Sequence, residues 1–462
     1  MRLTLSGLAL AAAASTAVPS VYAWGAAGHE IVATIAQSYL HPSVLPQLCT
    51  VLNLHNNPDY PRDPDAPPCH ISTIATWADK IRYLPQFRWT APMHYIGARD
   101  DWPSQTCAFP GDKGWSGRDS INVLGAIRNV SGTLEEFVAA QRDGLVHLNF
   151  NGEGEDDDAE DIRTALKFLI HFLGDLHMPL HLTGRDRGGN SIKVRFDGRL
   201  TNLHSLWDGL LIAQRLRTVP SNYTRAIPVP ELERNLRDTI YDPYIRQLVW
   251  EGAFGKYADE LEDWLSCPSA PSESNSMFAP FSSATSSLLR EAMEYTGLHA
   301  AHQGAQRLFS WLGLSSGLAK SGSEDPHKWD DETLCPYAWA APIHALNCEI
   351  VFPPALDEPP YGSHAFPRSY PAAPHVEGHG CAHAHAHEDL FEEEGEVGVG
   401  AEAEGRKSKY IELDTPEYAG ELRRRWVVER LLLQAGVRLA GTLNYLFAEE
   451  GALEGRVRAL GL

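Results

Sequence analysis

Between residues 162 and 176, apolar side chains (Ile162, Ala165, Leu166, Phe168, Leu169, Ile170, Phe172, Leu173) occupy almost every direction around a helix, which predicts a helix buried on all sides. Pro179 ends it. Helical spacing also covers residues 28–40, with His29 in the first turn, and residues 71–83, 203–217, 226–265, 286–314 and 416–446, while residues 121–141 read as two short helices. The alternation Ile192-Lys-Val194-Arg-Phe196 followed by Asp197-Gly198 predicts a β-hairpin, and Thr201-Asn202 can cap the helix that follows. The expected fold class is therefore mainly α, a multi-helix protein with one small β-hairpin.

Residues 353–409 break the pattern, being Pro-rich, then His-rich around Cys381, then Glu-rich. Such composition cannot bury enough apolar surface to fold, so this segment reads as a structureless insertion. Its alternating His-Ala lacks a defined coordination geometry, and a solvated linker is the favoured reading over a metal site. The first 23 residues, with Arg2, an apolar run over residues 3–18, and small Val21 and Ala23, read as a signal peptide cleaved before Trp24. No later segment reads as a membrane span. The expected organisation is a signal peptide (1–23), one helical domain (24–352), the insertion (353–409) and a final helix returning to the domain (410–450), in a secreted protein.

Composition changes the picture in two places. Seven cysteines without a Cys-x-x-Cys pair favour disulfides over thiolate zinc sites in a secreted chain. A net charge of -21 opposes a basic nucleic-acid groove, but about half of it comes from one late segment, so a polyanionic substrate stays open. Sequons at Asn129 and Asn222 fit the secretory route.

The buried helix carries His171 and Asp175 four residues apart on one face, and an unpaired buried carboxylate costs several kcal/mol unless something compensates it. One such pair taken alone reads better as an internal hydrogen bond between His and Asp. A second helix repeats the spacing with His204 and Asp208, a third carries Asp79 and Arg82 three apart, and His29, His94 and His181 lie at helix starts or ends. Imidazole and carboxylate donors without thiolates suit zinc in a catalytic site, and clustered metals of this kind most often cleave phosphate esters.

Six motifs in matching order and spacing then resemble one family: Trp24-Gly-x-x-Gly28-His29; Trp77-Ala-Asp79 with Arg82; His94-Tyr95-Ile96; Phe168-Leu-x-His171-Phe-x-Gly174-Asp175 through Pro179-Leu-His181; Gly188-Gly-Asn190; and Asn202-Leu-His204-x-x-Trp207-Asp208. Gly436-x-Arg438-Leu-Ala440 through Asn444 resembles the family's last helix. The chain is similar to the secreted zinc-dependent single-strand nucleases of fungi and plants, the type I nucleases, whose fold is related to zinc-dependent phospholipase C. The resemblance implies three zinc ions. One would be held by Asp79, His94, His171 and Asp175, and a second by the amino group and carbonyl of Trp24 with His29 and a shared Asp175. The third would be held by His181, His204 and Asp208. It further implies in-line attack of water on phosphorus, oriented by Asp79 and assisted by Arg82, giving 5′-phosphate products from single-stranded DNA and RNA, with 3′-nucleotidase activity as a further expectation.

By the same resemblance Tyr95 and Asn190 would contact substrate, and Cys107 would pair with Cys348. Cys49 with Cys69 and Cys267 with Cys335 are the remaining pairings expected, leaving Cys381 over. The sequence departs from the family where a base-binding carboxylate is replaced by Gly97 and an apolar base contact by Arg187, so base preference stays open. Two alternatives remain at this point: a zinc-dependent phospholipase C, which would use the same metals, and a catalytically silent secreted metal-binding protein. Neither stable membrane association nor an obligate protein partner is expected.

Overall fold

The computed structural model describes residues 24–54, 65–118, 121–150, 157–268, 325–361 and 408–449. The expected signal peptide, the helical pattern over residues 286–314, Cys381 and most of the expected insertion lie outside these residues. The central helix, Asp157–Leu176, opens on Asp157, Asp158 and Glu160, carboxylates that suit the positive end of its dipole, and from Ala165 onward it is buried nearly all round. It packs on Val123–Arg142, on the first helix, Ala26–Ser38, and on the last helix, Val427–Phe447, which touches all three. Gly436 permits the closest of these approaches, because a Cβ there would lie 2.4 Å from Cγ2 of Ile35 in the first helix.

The hairpin forms as the alternation requires, Lys193–Phe196 pairing antiparallel with Arg199–Asn202 around Asp197 and Gly198, both at positive φ. Arg195 also exchanges backbone hydrogen bonds with Ile411 and Leu413, so the chain re-enters the described fold beside this hairpin. Three disulfides join Cys49 to Cys69, Cys107 to Cys348 and Cys267 to Cys335. No helix among the described residues is long and apolar enough to cross a membrane.

Several element boundaries differ from the sequence reading, each for an identifiable reason. The helix expected over residues 71–83 splits into a 3-10 turn, Ile71–Ile74, and a short α-helix, Trp77–Ile81, because the Ala75 carbonyl is turned to accept from His171 Nδ1 at 2.7 Å. The two short helices expected over residues 121–141 are one helix, Val123–Arg142, started by the Asn122 side chain accepting from Gly125 N. It runs through Gly132, which faces open space and costs only about 1 kcal/mol of helix propensity. The helix after the hairpin contains a π segment, Leu206–Leu210, and residues 226–265 resolve into the short helices Pro230–Leu236, Asp242–Gln247 and Leu261–Leu265 with a second π segment between the last two. The last helical pattern is broken by Trp426, held at φ 57°, into Ala419–Arg424 and Val427–Phe447.

Candidate metal centre

His171 and Asp175 project from one face of the central helix, both fully buried. The ring of His29, from the first turn of the first helix, stacks on His171 with centroids 3.8 Å apart, and its Nε2 lies 3.4 Å from Asp175 Oδ1. That approach depends on Gly174: a Cβ at this position would sit 2.6 Å from His29 Nδ1. The short helix Trp77–Ile81 delivers Asp79, and the 3-10 segment Pro85–His94 delivers His94 at its end. Asp79 Oδ1 lies 3.7 Å from His171 Nε2 and 3.8 Å from His94 Nδ1, and His94 Nδ1 lies 2.9 Å from Asp175 Oδ2. On the far side, the turn Pro179–Leu182 presents His181, and the helix around the π segment presents His204 and Asp208, 3.1 Å apart.

Three of these imidazoles are aimed by backbone carbonyls. His171 Nδ1 donates to Ala75 O at 2.7 Å, His181 Nδ1 to His94 O at 2.6 Å, and His204 Nδ1 to Gly188 O at 2.7 Å. A carbonyl can only accept, so each Nδ1 carries a proton and Nε2 is the nitrogen turned into the cluster, the orientation that outer partners impose on metal-binding histidines. The Gly188 carbonyl is itself set by four successive left-handed residues, Asp186, Arg187, Gly188 and Gly189, two of them without glycine's freedom. At Gly188 a Cβ would meet the Leu180 carbonyl at 2.6 Å.

The buried charges do not balance by hydrogen bonding alone. Burial works against a charged His171, but the carboxylates of Asp175 and Asp79 outweigh it and raise the imidazole to about 9. Burial likewise opposes the Asp175 carboxylate, yet His171, His181 and His94 hold it well below the ordinary range. Burial lowers His29 and His94, and takes His181 down to about 3 against the pull of Asp175. Asp208 is raised by burial to about 6, and His204 is raised because Asp208 outweighs its desolvation. Both oxygens of Asp79 and of Asp208, Oδ1 of Asp175, both nitrogens of His29 and Nε2 of His94 are buried without a hydrogen-bond partner. Native proteins rarely leave so many polar atoms unsatisfied in one place, and a cation is the group these atoms fit.

Three trios have donor atoms close enough to share an ion: His29, Asp79 and His171; His94, His171 and Asp175; and His181, His204 and Asp208. The third is the set the resemblance implied. The first two overlap through His171 and gather the remaining side-chain donors without drawing the implied division between them. Trp24 is fully buried at the head of the first helix, and the next residue, Gly25, donates its N–H to Asp208 O at 2.7 Å. Arg82 Nη1 lies 3.3 Å from Asp79 Oδ1 at the partly open edge of the cluster, and Tyr95, directly after His94, is half exposed. Asn190 spends its amide on the left-handed turn, donating to Arg187 O at 2.9 Å. The Asn222 sequon lies on an exposed turn, Ser221–Thr224, whereas Asn129 lies within a helix with its Ser131 fully buried.

Sequence reasoning did not assign roles to the orienting carbonyls or to the packing of Gly174 on His29. A glycine inside a buried helix, next to the central carboxylate, was the available signal, since it sacrifices propensity unless something approaches closely. It also missed that His177 is used internally: its Nδ1 donates to Leu173 O at 2.7 Å and its Nε2 accepts from buried Arg438 at 2.9 Å, tying the end of the central helix to the last helix.

Helices that converge imidazoles and carboxylates on one buried, hydrogen-bond-poor cluster define a helical protein with a centre able to hold metal ions. The S1/P1 Nuclease family model matches residues 24–267, and the chain belongs to that family. It is 28% identical to Endonuclease 1 of Arabidopsis thaliana over 54% of this chain and 68% of that protein. It is 32% identical to Nuclease S1 of Aspergillus oryzae over 44% of this chain and 58% of the relative, and 33% identical to Nuclease P1 of Penicillium citrinum over 40% and 57%. The matched stretches thus span roughly three fifths to two thirds of these relatives, which are nucleases, hydrolases of phosphodiester bonds.

Proposed function

We propose that the chain is a secreted, zinc-dependent endonuclease that hydrolyses single-stranded DNA and RNA to products with 5′-phosphates and also acts on 3′-nucleotides. The observation that carries this reading is the set of three buried His/Asp trios in a chain of the S1/P1 nuclease family, with several of their donor atoms buried and without a hydrogen-bond partner. Three ions would use Asp79, His94, His171 and Asp175; the main chain of Trp24 with His29 and Asp175; and His181, His204 and Asp208. When bound, zinc lowers the pKa of water and neutralises charge on phosphoryl oxygens.

The chain's own groups do the rest. Asp79 has carboxylate oxygens free of hydrogen bonds, and it holds the nucleophile's proton and orients its lone pair toward phosphorus. Arg82, held beside Asp79 at 3.3 Å and 17% exposed, reaches the equatorial phosphoryl oxygens as charge builds on them. Tyr95, 52% exposed, offers a face on which a base can stack. Gly97 cannot be extended into a base-reading side chain, because a Cβ there would lie 2.6 Å from Gly184 N, so base selection rests on stacking more than on edge hydrogen bonds. The three disulfides suit an oxidising, extracytoplasmic setting.

The test is zymography on single-stranded DNA beside a phosphatidylcholine hydrolysis assay, each with and without a chelator. Chelator-sensitive cleavage of DNA is the expected result. Cleavage of lipid alone would replace the reading with a phospholipase, and zinc binding without either activity would leave a silent metal protein.

A further inference from the structure

Residues 186–189 all have positive φ, and Asp186 and Arg187 adopt 49° and 58° without glycine's freedom. Such backbone persists only where its surroundings over-determine it. What holds it is Arg185, 2% exposed, whose guanidinium spends every arm on a neighbour. Its Nε donates to Asp186 Oδ2 at 3.3 Å, Nη1 to the Pro103 carbonyl and to Ser104 Oγ at 2.6 Å, and Nη2 to Asp357 Oδ1 at 2.6 Å. The rings of Trp102 and Phe352 lie 5.0 Å and 4.6 Å from its central carbon. The Arg185 N–H donates to Thr183 Oγ1 at 3.2 Å, and its carbonyl accepts from Gly189 N at 3.0 Å, closing the turn.

The partners of Arg185 belong to two segments, one around residues 101–108 and the other running from Asn347 to Asp357, joined by the Cys107–Cys348 disulfide. The same frame reaches the turn of His181: Asn347 Nδ2 donates to Pro179 O at 2.6 Å, and Asp101 Oδ2 accepts from Thr183 Oγ1 at 2.5 Å. By contrast, His171 is aimed by Ala75 and His29 is seated on Gly174. Because the Gly188 carbonyl that aims His204 lies in the turn that Arg185 closes, a shift of the guanidinium reaches His204 first. We propose that Arg185, gripped by Asp357, is the positioning residue of the third metal position, and that it sets how firmly His181, His204 and Asp208 hold their ion without setting the other two. This rests on the zinc reading and deepens it.

A buried arginine that merely stabilises a loop would make the same contacts, and the two roles part in metal binding. Zinc is titrated into metal-free wild type, Arg185→Lys and Asp357→Asn against a chromophoric chelator, with bound ions counted and Tm measured without metal. His204→Ala and its double variant with Arg185→Lys complete a cycle. Lysine keeps the charge and loses the planar fork. Arg185→Lys should weaken one of the three zinc ions by about 10- to 100-fold, the usual effect of removing an outer partner, and leave the other two unchanged. Asp357→Asn, which keeps the arginine and serves where the lysine variant fails to fold, should weaken the same ion. In the His204→Ala background, Arg185→Lys should have no further effect on the ions that remain. Equal weakening of all three ions, or a lowered Tm with every zinc affinity intact, would overturn the proposal and reduce Arg185 to a loop support. If His204→Ala itself released no zinc, the metal reading of the third trio would fall, and the role of Arg185 with it.

Discussion

Gly174→Ala is the substitution on which the site's construction can be tested most sharply. The added Cβ would lie 2.6 Å from Nδ1 and 2.9 Å from Cε1 of His29, so the ring must retreat by roughly 0.5 Å or more to reach even a tight contact. Two opposing terms act on stability. Alanine gains about 0.8–1 kcal/mol of helix propensity over glycine, while overpacking a fixed core typically costs about 1–3 kcal/mol. The net loss is therefore about 0–2 kcal/mol, and the metal-free variant should melt within a few degrees of wild type. Metal binding should respond far more, because displacing the ring of a proposed ligand is at least as damaging as losing an outer-shell partner, which costs about 10- to 100-fold in affinity or activity. The assay is a zinc titration with metal counting on both proteins, beside turnover on single-stranded DNA and Tm without metal. Gly132→Ala, at an open position in another helix, is the control, expected to stabilise by up to about 1 kcal/mol and leave zinc untouched. Full zinc content and wild-type turnover in Gly174→Ala would refute the argument that this glycine exists to admit His29.

Asp175→Asn, which removes the charge at the centre of the cluster, should reduce zinc content and turnover together by more than about 100-fold while the protein stays folded, as checked by metal analysis and circular dichroism. His177 is held neutral, well below its ordinary 6.5, by burial and by the charge of Arg438, so the unfolded state takes up this proton first. Its contribution to stability is present above pH 6.5 and is lost as pH falls below it, at up to about 1.4 kcal/mol per pH unit, and His177→Gln should flatten that decline in zinc-loaded protein followed by urea unfolding. One residue left ahead of Trp24 should cost one zinc and much of the activity, because an amide nitrogen has no available lone pair; equal zinc counts would make Trp24 a buried aromatic only. Removing residues 375–404 should leave turnover nearly intact, since every proposed ligand lies between residues 24 and 208, and this is measured on the same DNA substrate.

The parts of the fold legible in the sequence were those written in periodicity. The all-round apolar pattern of residues 162–176 could mean only a buried helix, and its histidine and aspartate could be placed on one face by counting. What could not be read was anything decided by a distant carbonyl. The break at Ala75 exists because His171, 96 residues later, claims its oxygen, and nothing local in the run of residues 71–83 announces this. The π segment that carries Asp208 is similarly invisible to a 3.6-residue count. Gly174 and Gly188 were visible as letters but not as reasons, since their meaning lies in the His29 ring and the Leu180 carbonyl packed against them.

The placement of the last helix sets the order in which the molecule can be made. The residues that converge on the centre have all emerged from the ribosome by Asp208, yet the helix bearing His29 and the end of the helix bearing Asp175 are braced by Gly436, Arg438 and Asn444. More than two hundred residues must be synthesised between the last ligand and these braces. The nascent chain therefore displays a collection of imidazoles and carboxylates able to hold metal without the frame that spaces them, and commits them to one geometry only when its final helix docks. A chain shortened before residue 427 should keep every ligand and lose the catalyst.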